Sequence, residues 1–160
     1  MLNRYLFLIS LFIAVSVAYA QRIDTVEVYS PKMDRMIKNV VILPEQYNKN
    51  PKARYPVLFL LHGVGGNYRT WITVTKPSLP QEANRWNMII VCPDGQKSWY
   101  WDSPVDRHYQ FETFIGKELV EYIDKNYRTV ASPQGRAISG CSMGGHGGLW
   151  IGINHPDIFG

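Results

Sequence analysis

The chain has 160 residues, 46% of them hydrophobic and 19% charged, with a formal net charge of +4. These proportions belong to a globular protein and exclude a disordered or collagen-like chain, and the length allows one modest domain. The cationic excess is small and its Lys and Arg residues form no stripe, which argues against nucleic acid as a partner.

In chain order, Arg4, an apolar run over residues 6–17 and Ala18-Tyr19-Ala20 follow the plan of a cleavable export signal: a positive start, a short apolar stretch and a small-x-small cleavage site. The expected division is a signal peptide at 1–20 and a single domain at 21–160, with the mature chain starting at Gln21 and secreted or periplasmic. A membrane anchor needs about 20 apolar residues, more than this run supplies, so no stable anchor is expected after cleavage.

Residues 23–29 and 36–43 are β-rich and separated by Pro31-Lys32-Met33-Asp34-Arg35, which predicts an antiparallel hairpin. The stretches 55–61 and 87–93 are nearly all apolar, the pattern of central strands buried on both faces. Over residues 110–126, Phe111, Phe114, Ile115, Leu119, Tyr122 and Ile123 fall along one helical face, predicting a helix that covers the sheet. A strand over 135–139 and a helix over 143–154 follow. Alternating strands and helices of this kind predict an α/β fold with a mostly parallel central sheet. Cys92 and Cys141 lie near the ends of strands that flank a third, and both are expected to be buried free thiols rather than a disulfide. No C-x-x-C or H-E-x-x-H spacing occurs, so no metal or other cofactor is expected.

Between that last strand and helix stands Gly140-Cys141-Ser142-Met143-Gly144, the G-x-S-x-G form in which a strand turns sharply into a helix and exposes a serine at the tip. The competing reading is a Gly-rich turn with an incidental serine. Upstream, Leu61-His62-Gly63-Val64-Gly65-Gly66-Asn67 follows a buried strand, where backbone N–H groups can hold the oxyanion of an acyl-transfer intermediate together with the N–H of Met143. A phosphate-cradling loop is the alternative there, but no G-K-[ST] follows. His62 precedes the turn and is expected to support the loop from beneath rather than act as a base.

Downstream of Ser142 only His146, His155 and Asp157 could complete a Ser-acid-His triad. His146 is four residues along the same helix, with its side chain on the flank, and His155 and Asp157 fall at the far helix end beside Pro156. The expectation is a domain truncated after the elbow helix, carrying a nucleophile without its base and inactive alone. In the loop 95–104, Trp99, Tyr100 and Trp101 could wall a site for an aryl acyl group or a sugar ring, with Asp102 accepting a sugar hydroxyl, or could bury the loop beneath further chain.

The motifs Leu61-His62-Gly63-Val64-Gly65-Gly66-Asn67, Cys92-Pro93-Asp94-Gly95, Trp99-Tyr100-Trp101-Asp102-Ser103-Pro104, Ser139-Gly140-Cys141-Ser142-Met143-Gly144-Gly145 and His155-Pro156-Asp157-Ile158-Phe159 resemble those of the esterase D group of α/β-hydrolases. That group includes feruloyl and acetyl xylan esterases, S-formylglutathione hydrolases and mycolyltransferases. The resemblance implies Ser142 as nucleophile and the amides of Val64 and Met143 as oxyanion donors; the family's acid and histidine have no matching positions. It also implies hydrolysis of carboxylic esters through an acyl-serine, with acylated carbohydrate as the expected substrate once export and the aromatic loop are weighed. An acyltransferase and a non-catalytic carbohydrate-binding relative are the alternatives.

Overall fold

The computed structural model describes residues 21–160, so the expected export signal at 1–20 lies outside the described residues. No helix among the described residues is long and apolar enough to cross a membrane. The chain opens with β1 (Ile23–Ser30) and β2 (Arg35–Ile42), paired antiparallel from Ile23↔Ile42 to Ser30↔Arg35 as the hairpin reading predicts. Asp34 takes the left-handed conformation that closes the turn, with φ 52°, and accepts a 2.6 Å hydrogen bond from the Tyr29 hydroxyl. Then come the short α1 (Gln46–Lys49), β3 (Val57–Leu61), a π-helical turn (Trp71–Thr75), α2 (Leu79–Trp86) and β4 (Ile89–Pro93).

The predicted covering helix is continuous but not uniform. It runs from α3 (Phe111–Thr113) through a π-helical stretch (Phe114–Leu119) into α4 (Val120–Asn126). Phe111, Phe114, Ile115, Leu119 and Ile123 are fully buried, while Tyr122 is only partly so. A short 3-10 turn leads into β5 (Arg136–Gly140), and α5 (Met143–Asn154) completes the order.

The sheet order is β1-β2-β4-β3-β5. β4, β3 and β5 are parallel, whereas β1–β2 and β2–β4 are antiparallel, so half of the pairings among the described residues depart from the mostly parallel pattern. Side chains alternate between two cores, as the two-residue period of a strand requires. Val57, Phe59 and Leu61 of β3 and Ile89 and Val91 of β4 join Phe111, Phe114, Met143 and Ile151 on one face. Leu60, Ile90 and Cys92 meet Leu79 and Ala83 of α2 on the other.

Both cysteines are free, and β3 separates their strands as expected. Cys92 is buried, and burial pushes its thiol pKa far above the usual value. Cys141 corrects the expectation of two buried thiols: it is exposed, because the chain has already left the sheet at the tip of β5.

Candidate functional site

Ser142 stands in the two-residue turn between β5 and α5 with φ 52° and ψ −119°, a conformation that L residues rarely hold. Such strain costs on the order of 1–3 kcal/mol and persists only where the surroundings enforce it. Here the enforcement is backbone against backbone. The amide of Cys141 donates to Leu61 O at 3.3 Å, that of Gly144 to Cys141 O at 2.8 Å, and that of His146 to Ser142 O at 3.0 Å. A Cβ on Gly144 would lie 2.3 Å from Leu61 O, and one on Gly140 would lie 2.6 Å from both Leu61 O and Gly144 O, so no larger residue fits this crossing without moving β3 from α5. Ser142 is exposed, and its hydroxyl is bonded to none of the described residues.

The loop after β3 is packed against that turn. A Cβ on Gly63 would be 3.5 Å from Ser142 Cβ and from Cys141 O. Gly65 adopts φ 82°, and Gly66 donates to Gly63 O at 3.1 Å, folding the loop back on itself. His62 holds the arrangement from below. It is buried, its Nδ1 lies 2.7 Å from Gly63 O, and its Nε2 accepts from the Gly95 amide at 2.9 Å. Because Nε2 accepts, the proton belongs on Nδ1, donated to Gly63 O. Among the described residues, no group bonds to the main-chain N–H of Val64 or of Met143. The Met143 amide is also at the first turn of α5, where N–H groups carry the positive end of the helix dipole.

The loop 95–104 departs from the sequence expectation at two positions. Tyr100 is not part of an aromatic wall: it is wholly buried, donates its hydroxyl to His62 O at 3.1 Å, and is wedged where Gly95 and Gly147 leave room for its ring. Burial raises its phenol pKa far above the ordinary value. Asp102 has both carboxylate oxygens on Thr113, accepting from its amide at 2.9 Å and its hydroxyl at 2.5 Å, so it caps α3 rather than facing a sugar. Trp99 and Trp101 are half-exposed and face His146, one helical turn along α5 from Ser142, with ring centroids 5.7 and 5.3 Å away.

None of the four histidine side chains in the chain is bonded to the Ser142 hydroxyl. His62 serves the loop, His146 lies among tryptophans, and His155 Nε2 meets Glu112 Oε1 at 3.1 Å. Two adjoining depressions of about 340 and 380 Å³ share Lys97 and Tyr109 in their walls. One also touches Trp101 and Asp106, the other Gly65, Gly66 and Asp94; Ser142 itself lines neither.

A parallel β4-β3-β5 core, a strained serine turn between strand and helix, and a glycine loop pressed against it define the fold as that of an α/β-hydrolase. The chain belongs to the esterase family described as "Putative esterase", whose model matches residues 30–160. It is 36% identical over 121 residues to an esterase of Mycobacterium tuberculosis, covering 68% of this chain and 24% of that protein. It is 32% identical over 148 residues to an endo-1,4-beta-xylanase/feruloyl esterase of Xylanibacter ruminicola, covering 86% of this chain and 20% of that protein. Among solved structures, a ferulic acid esterase superposes with a TM-score of 0.76 at 31% identity, covering 88% of this chain and 58% of that one. The chain thus spans a quarter or less of these two relatives' length.

Proposed function

We propose that the protein is a serine carboxylic-ester hydrolase working through an acyl-serine intermediate, with Ser142 as nucleophile. The observation that carries this reading is the Ser142 backbone at φ 52° and ψ −119°, which holds an exposed, unbonded hydroxyl beside the glycine loop. In the reaction, a general base takes the Ser142 proton while its oxygen attacks the ester carbonyl, whose π electrons move onto the carbonyl oxygen. The amides of Val64 and Met143 donate to that oxyanion; each such donor contributes about 3 kcal/mol to the transition state. Collapse expels the alcohol, which receives the proton, and water then repeats the sequence to release the acid. The base and its acid partner are assigned to sequence outside these 160 residues, in keeping with the share of the relatives' length that the chain leaves uncovered.

The substrate class proposed is an acylated carbohydrate, such as a feruloyl or acetyl ester of xylan, met outside the cytoplasm after removal of residues 1–20. Support comes from the feruloyl esterase among the relatives, from the half-exposed Trp99 and Trp101, and from the mixed polar and aromatic depressions beside the glycine loop. Fluorophosphonate labelling tests the chemistry. The native gene product is expected to be labelled at Ser142, and Ser142→Ala to take no label; labelling that survives the substitution overturns the assignment. The 160-residue chain alone is expected to label no faster than Ser142→Ala, since a serine without a base is a weak nucleophile. Cleavage of short aryl esters with no ferulate or acetate released from xylan fragments would exclude the carbohydrate substrate alone.

A further inference from the structure

His146 has the position of a spare base and the bonding of a clamp. Its Nδ1 lies 3.0 Å from the carbonyl oxygen of Trp99, and its Nε2 lies 3.1 Å from Trp101 Nε1. An indole N–H can only donate and a carbonyl can only accept, so the ring holds its proton on Nδ1 and offers its lone pair at Nε2 to Trp101. Both nitrogens are thereby committed, and neither is left to take a proton from Ser142. The ring is also enclosed by aromatic side chains: Trp99 edge-on at 5.7 Å, Trp101 tilted at 5.3 Å and Trp150 stacked at 6.4 Å with an interplanar angle of 10°. Trp150 is itself fixed, donating its Nε1 proton to Glu112 Oε2 at 2.7 Å.

The clamp joins two elements with different jobs. α5 carries Ser142 at its N-terminal end, and the His146 amide bonds back to Ser142 O at 3.0 Å, so the ring rises one turn from the nucleophile. The loop it grips holds Trp99 and Tyr100 at φ 57° and 61°, a left-handed pair that needs outside support. From these contacts we infer that His146 is a positioning residue that fixes Trp99 and Trp101 as a rigid aromatic wall beside Ser142 and so sets the preference for an aromatic acyl group. This rests on the ester-hydrolase reading above only in naming the ligand; the clamp is a matter of geometry. Aromatic surface held rigid before binding gains affinity because less freedom is lost on contact.

The test uses the native gene product, with indole N–H exchange followed by NMR and ferulate as the probe ligand. In the parent chain the Trp101 indole proton is expected to exchange slowly. His146→Phe, which keeps the ring and removes both hydrogen bonds, is expected to free it, while the Trp150 indole bonded to Glu112 stays protected and reports an intact fold. Ferulate binding should weaken by at least about fivefold in that variant, well within what a single contact can supply. His146→Gln, whose amide oxygen can accept at the place of Nε2, should restore slow Trp101 exchange; His146→Asn, which reaches only the place of Nδ1, should not. That Gln and Asn pair decides the matter if the Phe variant fails to fold.

Unchanged Trp101 exchange in His146→Phe, or equal exchange in the Gln and Asn variants, overturns the clamp. A freed indole with undiminished ferulate affinity overturns the role in acyl preference. If the parent chain binds no ferulate, the aromatic-acyl reading of the substrate falls, and the preference role with it, while indole exchange still decides the clamp.

Discussion

Ser142 combines exposure with a backbone conformation that costs stability, and the two properties can be separated by substitution. Alanine removes the hydroxyl and keeps the strain; glycine removes both, because without a Cβ the left-handed region is freely allowed. Relief of strain worth on the order of 1–3 kcal/mol outweighs glycine's extra unfolded-state entropy of about 0.5–1 kcal/mol. Ser142→Gly is therefore expected to be more stable than Ser142→Ala by about 1 kcal/mol in urea unfolding; equal midpoints would mean that the turn is unstrained. Tyr100 gives a second residue-level test through pH. Its folded pKa is raised by burial, and an unfolded tyrosine titrates near 10. The stability tied to this shift is fully present below about pH 10 and lost as pH rises toward the folded value, by up to about 1.4 kcal/mol per pH unit. Tyr100→Phe gives up the hydrogen bond to His62 O, costing about 1 kcal/mol at neutral pH. It also removes the alkaline loss, so the gap between the two proteins should narrow above pH 10 and then reverse. A gap that stays constant from pH 8 to 11 would show that Tyr100 titrates normally.

At the scale of elements, the crossing of α5 over the end of β3 depends on one of two glycines that stand side by side, Gly144 and not Gly145. Gly144 touches backbone, where an added Cβ would meet Leu61 O at 2.3 Å and His62 O at 2.8 Å. Neither atom can yield without parting helix from strand, so Gly144→Ala is expected to cost about 3 kcal/mol, the upper end for overpacking. An added Cβ on Gly145 meets nothing closer than Gly140 O at 3.5 Å. Gly145→Ala should be neutral or gain up to about 1 kcal/mol from helix propensity, and thermal unfolding of the two variants distinguishes them. The same elements show what could be read in advance. β3, β4 and β5 begin and end within two residues of the predicted runs, β3 and β4 because strands buried on both faces are apolar nearly throughout, and α5 matches its predicted span. α2 was not legible by periodicity because only Leu79 and Ala83 are buried. Its signals lay in the caps instead: a proline in the first turn and Asn87 in the left-handed conformation at the end. The burial of Tyr100, the capping by Asp102 and the bonding of His146 all depend on partners distant in sequence. The sequence showed aromatic and acidic residues in a loop, and only the packed loop shows which way each one turns.

Seen whole, the described chain leaves an apolar face open beside one edge of its sheet. β5 stands at the edge of the sheet, with Ala137 and Ser139 exposed along it. Next to it on α5, Leu149 and Ile153 are 70% and 75% exposed, and Trp150 is exposed beside them. A depression of about 290 Å³ between the two elements is lined by Ile138, Gly148 and Leu149. An open strand edge beside apolar side chains is a template for pairing with another chain. The net charge of +4 gives little repulsion against such contact. The 160-residue chain is accordingly expected to self-associate at micromolar concentration in sedimentation velocity. The double substitution Leu149→Glu with Ile153→Lys should shift it toward monomer without loss of stability, because both side chains face solvent. The acid-first spacing of four residues also adds about 0.2–0.5 kcal/mol to the helix. Association that persists in the double variant would place the sticky surface elsewhere, on the strand edge itself, where Ala137→Pro would interrupt the exposed ladder without adding charge.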